Sequence, residues 1–346
     1  MPFPLITKRN IDGGNRMNGK ENYLSVLRHG QGEWIPVEGE DLLYTGFEFN
    51  SMEKGPAGGG FDGFGVKWAA PESGGGTAIP EPGYFLLNVD NVCDWKKILK
   101  FPDPAAYHWK EDAKAQLAGV DRNVTCVDYG DGNGPYERLA AFMGFENALM
   151  AMAEEPEAVE ELLVAIANFK IRCLDYIAEY YHPDTYTLYD DVATQQCTFM
   201  SPDTYREMIK PQHKRIAARA RELGMVPILH CCGHAEALIE DFMEEGFDAW
   251  ASVQPCNNIA RLLEKYGDRF CIAGGYDTNG APGQTSDEAI IKKEIERCFR
   301  DYGAKPGYIF AGFILTAAAN PEEVWALSGI MCEQAIAYAH EQTKKL

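Results

Sequence analysis

The amino-acid sequence predicts an α/β protein, a (β/α)8 TIM barrel that takes up residues 1–346 as a single domain, and three observations support it. From about residue 186, short β-rich runs alternate with amphipathic helical runs, the pattern of βαβ units around a parallel sheet. Polar residues of ligand type recur at the carboxyl ends of those runs, where parallel barrels gather their chemistry. A chain of 346 residues with 46% hydrophobic content is long enough to bury one large core.

Five strands are read in the second half, at 186–190, 226–231, 247–253, 269–274 and 307–313. Each is followed by a helix with legible ends. Ser201 and Pro202 open one that Gly224 closes, and Asn320, Pro321 and Glu323 form a capping-box start for the last. Over residues 156–181, Val159, Leu162, Ile166, Phe169, Cys173 and Ile177 recur at spacings of three and four, which describes one buried helix face. The first half supplies strands at 42–49 and 123–128 and a helix at 137–153. That makes seven strands; the eighth must come from residues 84–90 or from an irregular segment. The Gly-rich stretch GPAGGGFDGFGVKWAAPESGGGTAIPEPG lacks periodicity and reads as an insertion folded over the carboxyl-terminal mouth.

The charge balance, 52 acidic against 32 basic residues for a net −20, opposes binding to phosphate backbones and anionic membranes. Nucleic acid and membrane are therefore not expected as partners. With no long apolar run and no cleavage-site pattern near the start, a cytoplasmic protein is expected, and its ten scattered cysteines are expected to be reduced. Gly58, Gly60 and Gly63 match G-x-G-x-x-G but lack the flanking strand and helix of a dinucleotide site. Asp128, Asp131 and Asn133 resemble a calcium loop superficially and read better as a solvated turn. No phosphate-binding loop or G-x-S-x-G elbow is present.

The informative stretch is VPILHCCGHAEAL, an apolar strand running into His230, Cys231, Cys232, Gly233 and His234. Side chains alternate along a strand, so His230 and Cys232 share a face, a two-residue chelate of ligands suited to zinc. A buried histidine beside core cysteines is the alternative. Zinc needs a third protein ligand, and Asp191, Cys256 and Asp277 each stand just beyond another strand; Asp203, Cys231 and Cys271 form a rival trio. Asp190, Gln195 and Gln254 also fall at strand ends. Tyr44, Phe47, Phe61, Phe64 and Trp68 could line an apolar pocket or simply pack under the insertion.

Taken together, YDDVATQQCTFMSPDTYREMIKP, VPILHCCGH, DAWASVQP, RFCIAGGYDTN and NPEEVWAL resemble the uroporphyrinogen decarboxylase superfamily, in particular its corrinoid-linked methyltransferases. The likeness reaches back through YERLAAFMGFENALMAMAEEPEAVEELL to FDGFGVKW, covering roughly residues 40–330. Two departures narrow what it implies. Where the decarboxylases carry an arginine-rich segment that grips carboxylates, this chain has IPVEGEDLLYTGFEF, and an acidic stretch cannot hold a polyanion. The methylcobalamin:coenzyme M methyltransferases add a later Cys to their His-x-Cys pair, and here AGFILTAA stands in its place.

What remains resembles the enzymes that move a methyl group from an aromatic methyl ether of the guaiacol or veratrole type to the Co(I) corrinoid of a separate protein. Under that resemblance the phenolate leaving group must be protonated or coordinated, so His230 serves as acid or ligand, with Asp191 and Asp277 orienting or relaying. Tyr44, Phe47, Asp62, Trp68, Tyr189, Gln195 and Gln254 would then bind substrate. No D-x-H-x-x-G segment is present, so the corrinoid is expected on a partner protein, with zinc optional and a homodimer left open. Other methyl donors or acceptors (thiol, methylamine, methanol), a lyase and a non-catalytic scaffold are the competing readings.

Overall fold

The structure, a computed structural model, describes residues 17–46, 51–56, 58–70, 78–315 and 321–343. Its centre is a curled, all-parallel sheet of seven strands: β1 (Leu42–Gly46), β5 (Cys126–Asp131), β6 (Thr185–Tyr189), β7 (Val226–His230), β8 (Ala249–Val253), β9 (Cys271–Gly275) and β10 (Tyr308–Ala311), paired in that order. Three short strands, β2 (Gly60–Phe61), β3 (Lys67–Ala69) and β4 (Ile79–Pro80), form a separate antiparallel sheet in the Gly-rich insertion. The predicted strands of the second half lie within about two residues of those observed.

Closure comes from an irregular segment. Val37, just ahead of β1, forms a parallel bridge to Phe310. There the Phe310 N–H donates to the Pro36 carbonyl, and the Glu38 N–H donates to the Phe310 carbonyl, each at 2.9 Å. Residues 84–90, the other candidate, contain no strand.

Period-two alternation sorts the barrel residues. Leu42, Cys126, Val226, Ile228, Ala249 and Cys271 point inward, where Tyr23, Leu24 and Leu27 of the helix Gly19–Leu27 plug the amino-terminal end. Higher in the barrel the inward residues of β8 to β10 include Ala251, Ala273 and Ala311, small side chains that leave space. Outward residues such as Trp250, Leu188 and Phe310 pack under the surrounding helices.

The helix Pro156–Tyr181 has the predicted bounds and buries the predicted face. The stretch read as one helix over 137–153 is two, Pro135–Met143 and Phe145–Glu154. Gly144 between them holds φ at +81°, and any Cβ there would meet the Phe85 ring at 2.9 Å. The run opened by Ser201 contains a π turn at Tyr205–Ile209, since Pro211 cannot donate the helical bond to residue 207.

The insertion packs at the carboxyl-terminal end of β5. Asn133 donates to the Glu53 carbonyl at 2.6 Å, and Lys170 joins Glu53 and Asp131, each at 2.7 Å. Phe64 meets the rings of Phe142 and Phe169, with centroids 5.5 and 5.0 Å away. It therefore sits on the rim of the mouth beside β5. Asp128 and Asp131 are buried with defined partners, which corrects their reading as a solvated turn. Among the described residues, no helix is long and apolar enough to cross a membrane.

Candidate active site

Three adjacent strands, β6, β7 and β8, deliver their carboxyl ends to one point. Beyond β7, His230 and Cys232 share a face as their alternation requires, with Cys232 Sγ 3.5 Å from His230 Nε2. Gly233 then turns the chain with φ +86°. A Cβ there would lie 2.5 Å from the Thr194 carbonyl oxygen, so only glycine lets β7 close so tightly against the loop after β6.

Beyond β6, consecutive aspartates point opposite ways. Asp190 faces outward and accepts from the Tyr136 and Glu137 N–H groups at 3.0 and 2.8 Å, capping the helix Pro135–Met143, and lies 2.7 Å from His213 Nε2. Asp191 faces the site and accepts the Cys232 N–H at 2.7 Å. The ligand atoms of Asp191, His230 and Cys232 all lie within 4.8 Å of one another. Of the candidates left open by sequence for a third ligand, Asp191 is thus the one that the neighbouring strand brings to the pair.

The electrostatics suit a cation. Burial holds His230 down at about 4, leaving the imidazole neutral at pH 7 and free to ligate. That disfavours its reading as an imidazolium acid. Burial raises Asp191 to about 6 against the lowering effect of the Cys232 N–H, and burial together with the Asp191 charge pushes the Cys232 thiol up. Glu137 is also pushed well up, by burial and by Asp191 and Asp190. Two carboxyls and a thiol therefore repel one another, with Lys54 only partly offsetting the charge at Glu137, and a divalent ion would relieve that repulsion.

On β8 the ladder shifts register between Trp250 and Val253, and Ser252 takes φ +62°. This conformation, costly for a residue with a side chain, puts Ser252 Oγ 3.2 Å from Cys232 Sγ. Gln254 accepts the Gly233 N–H at 3.2 Å and a bond from Gln195. These residues, with Thr278, Asn279, Phe313 and Leu315, line a cavity of about 540 Å³. Ser252 and Glu137 were missed from sequence. Positive φ at a serine leaves no sequence signal, and Glu137 read only as the start of a helix.

The other expected site residues fall in several places. The Asp277 carboxylate accepts the Gly280 N–H at 2.9 Å and closes a turn, outside the ligand cluster. Cys256 also lies outside it. The rival trio is dispersed: the Asp203 side chain is 95% exposed, Cys231 points outward into the core, and Cys271 bonds the Val26 carbonyl at the barrel floor. Asp62 accepts from Arg138 at 2.7 Å and from Trp68 Nε1 at 3.0 Å, a buried trio that pins the insertion and does not line the cavity. Tyr44 lies inside the barrel with its hydroxyl 3.3 Å from Glu38, and Tyr189 stacks on His230 with centroids 4.2 Å apart. Phe47 falls outside the described residues.

Comparison with known proteins follows the same lines. Residues 120–343 match the family model described as uroporphyrinogen decarboxylase (URO-D). A methylated-thiol–coenzyme M methyltransferase of Methanosarcina mazei is 24% identical over 159 residues, 43% of this chain and 40% of that protein. The methylcobamide:CoM methyltransferase MtaA of Methanosarcina barkeri is 28% identical over 91 residues, 26% of this chain and 25% of its own. The alignments thus span less than half the length of either relative. A solved methyltransferase from Methanosarcina mazei superposes with a TM-score of 0.67 at 14% identity, over 94% of this chain and 99% of that one, a likeness of fold.

Proposed function

Because the chain belongs to the uroporphyrinogen decarboxylase family, we propose that its barrel mouth carries out methyl transfer with a separate corrinoid protein, assisted by zinc held on Asp191, His230 and Cys232. The observation that carries this reading is the cluster of one imidazole, one thiol and one carboxyl beside an open cavity, three protein ligands with room for a fourth. When bound, zinc would lend Lewis acidity to the substrate heteroatom, and the corrinoid would exchange the methyl group.

The chain's own residues do the rest. His230 arrives neutral, so it ligates without losing a proton, whereas Cys232 must release one to solvent as the metal binds, and Asp191 ligates as the carboxylate. Tyr189 fixes the imidazole plane by stacking. Gln195 and Gln254 hold the loops after β6 and β8 together and present amides to the cavity.

The finer reading is an aromatic methyl ether as methyl donor. None of the described residues lining the cavity is Lys or Arg. A sulfonate or a polycarboxylate would meet no cationic side chain among these lining residues, which favours a neutral donor over an anionic thiol and over decarboxylase chemistry. A thiol acceptor is the second reading, favoured by the names of the two methanogen relatives. The test is turnover of 4-methoxyphenol or guaiacol with a reduced corrinoid protein, followed by the corrinoid's absorbance, beside metal analysis of the purified chain. Zinc near one per chain and corrinoid methylation are expected. Metal-free protein with full activity would remove the zinc assignment, and demethylation of the methylated corrinoid by a thiol, with no methylation of the reduced corrinoid by either ether, would replace the ether reading.

A further inference from the structure

Below the metal ligands the barrel interior holds two carboxyls that the reaction does not use. Glu38 and Asp128 both face inward, on opposite sides of Tyr44. Tyr44 bonds Glu38 at 3.3 Å and is the register partner of Asp128. Asp128 Oδ1 accepts from Thr185 and Thr187 at 2.7 and 2.8 Å. Its Oδ2 has no partner, although the residue is only 2% exposed.

A buried carboxylate oxygen left without a donor is uncommon and costly. The surroundings show what is missing. Glu38, Tyr44 and Tyr189 are enclosed by protein yet retain accessible surface, as groups lining an internal recess do. The inward residues across the barrel, Ala251, Ala273 and Ala311, are buried and each contributes only a methyl group. Burial and repulsion from Asp128 raise Glu38 to about 7 against the Tyr44 hydroxyl, and burial raises Asp128 to about 6 against the Thr185 and Thr187 hydroxyls, with Asp128 Oδ2 left without a donor.

We propose that this recess binds a hydroxyl group at the end of the methyl donor opposite its methoxyl, with Asp128 Oδ2 as the principal acceptor and Glu38 as the second. The assignment rests on the methyl-ether reading above and specifies its substrate class. The spacing supports it. Asp128 stands level with Thr185 and Thr187, two to four residues below Tyr189, the register partner of His230. At ~3.3 Å per residue that is about 7–13 Å along the strand, enough for one benzene ring carrying groups at opposite ends. An ortho hydroxyl would fall short, so a para-hydroxylated methyl ether fits better than guaiacol or veratrole.

The experiment measures binding calorimetrically on the protein alone, without corrinoid, so that it does not depend on turnover. The probes are 4-methoxyphenol, guaiacol, anisole, 1,4-dimethoxybenzene and choline. In the parent protein 4-methoxyphenol should bind at least about tenfold more tightly than each of the others. In Glu38→Ala and Asp128→Ala that preference should shrink, to under about twofold for Asp128→Ala, with thermal unfolding confirming that each variant folds. Should Asp128→Ala not fold, Asp128→Asn and Glu38→Ala carry the comparison. Equal binding of 4-methoxyphenol and anisole to the parent overturns the proposal, as does a preference that survives both substitutions. Tighter binding of choline than of 4-methoxyphenol would make this a cation site and overturns it too. If the preference holds while no methyl group is transferred, the recess stands and the catalytic reading falls.

Discussion

At the scale of single residues, the ligand set makes divergent predictions. Under zinc ligation, His230→Ala and Cys232→Ala should each lose the metal and at least about a hundredfold in methyl-transfer rate, ~2.7 kcal/mol in barrier. If Cys232→Ala stays within about tenfold of the parent and still binds zinc, the thiol is packing and the ligand set is wrong. Ser252 offers a subtler check. Its backbone occupies a region that glycine tolerates without cost, so Ser252→Gly should raise stability by about 0.5–1 kcal/mol while slowing methyl transfer through loss of the hydroxyl beside Cys232. A chemical denaturation series decides it, and a less stable glycine variant would mean that the hydroxyl's contacts outweigh the strain. The His230 and Cys232 pair was legible because period-two alternation is a rigid rule. Asp191 was one candidate among several, since its selection depends on Asp190 turning the other way to cap a helix.

At the scale of elements, that cap joins the sheet to two helices. Asp190 bonds the first turn of Pro135–Met143 and the imidazole of His213, which also faces Glu245. Asp190→Ala should cost about 3 kcal/mol of stability by stripping the cap and unbalancing a buried charge. The His213 pKa is opposed by burial but raised overall, to about 9, by the Glu245 and Asp190 carboxylates. A folded-state value above the unfolded ~6.5 means that this contribution is full below pH 6.5 and is lost as pH rises toward 9. Melting temperature should therefore fall across that window in the parent and much less in His213→Gln; a parallel fall in both would place the titration elsewhere. Elements were most legible where periodicity was long, as in Pro156–Tyr181. They were least legible where a single glycine broke a continuous pattern, as Gly144 does by admitting the Phe85 ring.

At the scale of the whole molecule, the net charge of −20 sets an expectation independent of the site. Self-repulsion among so many carboxylates is screened by salt, so the midpoint of thermal unfolding should rise between about 0.01 and 0.15 M NaCl, where the Debye length shrinks from ~30 to ~8 Å. A midpoint indifferent to salt would show that local ion pairs already neutralise the surface. The barrel was readable from the repetition of strand and helix, but its closure was not. Val37 joins β10 by one bridge between flanking residues without a strand pattern, and long-range pairing of that kind leaves no local periodicity to read. The insertion was legible as an insertion from its glycines. Its attachment was not, because it depends on Arg138 and Lys170, buried cations that in sequence look like ordinary surface residues.

The bridge at Val37 lies between β10 and β1, the two ends of the strand order, while β7 is the fourth of the seven strands and stands across the barrel from it. The ring is thus fastened most lightly at the point farthest from His230. Openings of the seam can exchange its amide protons with solvent, or widen the mouth to admit a bulky partner, without disturbing the strands that hold the ligands. In deuterated buffer, the amides of Glu38 and Phe310 should exchange well before those of Ile228 and Leu229, so that the molecule breathes on one side and keeps time on the other.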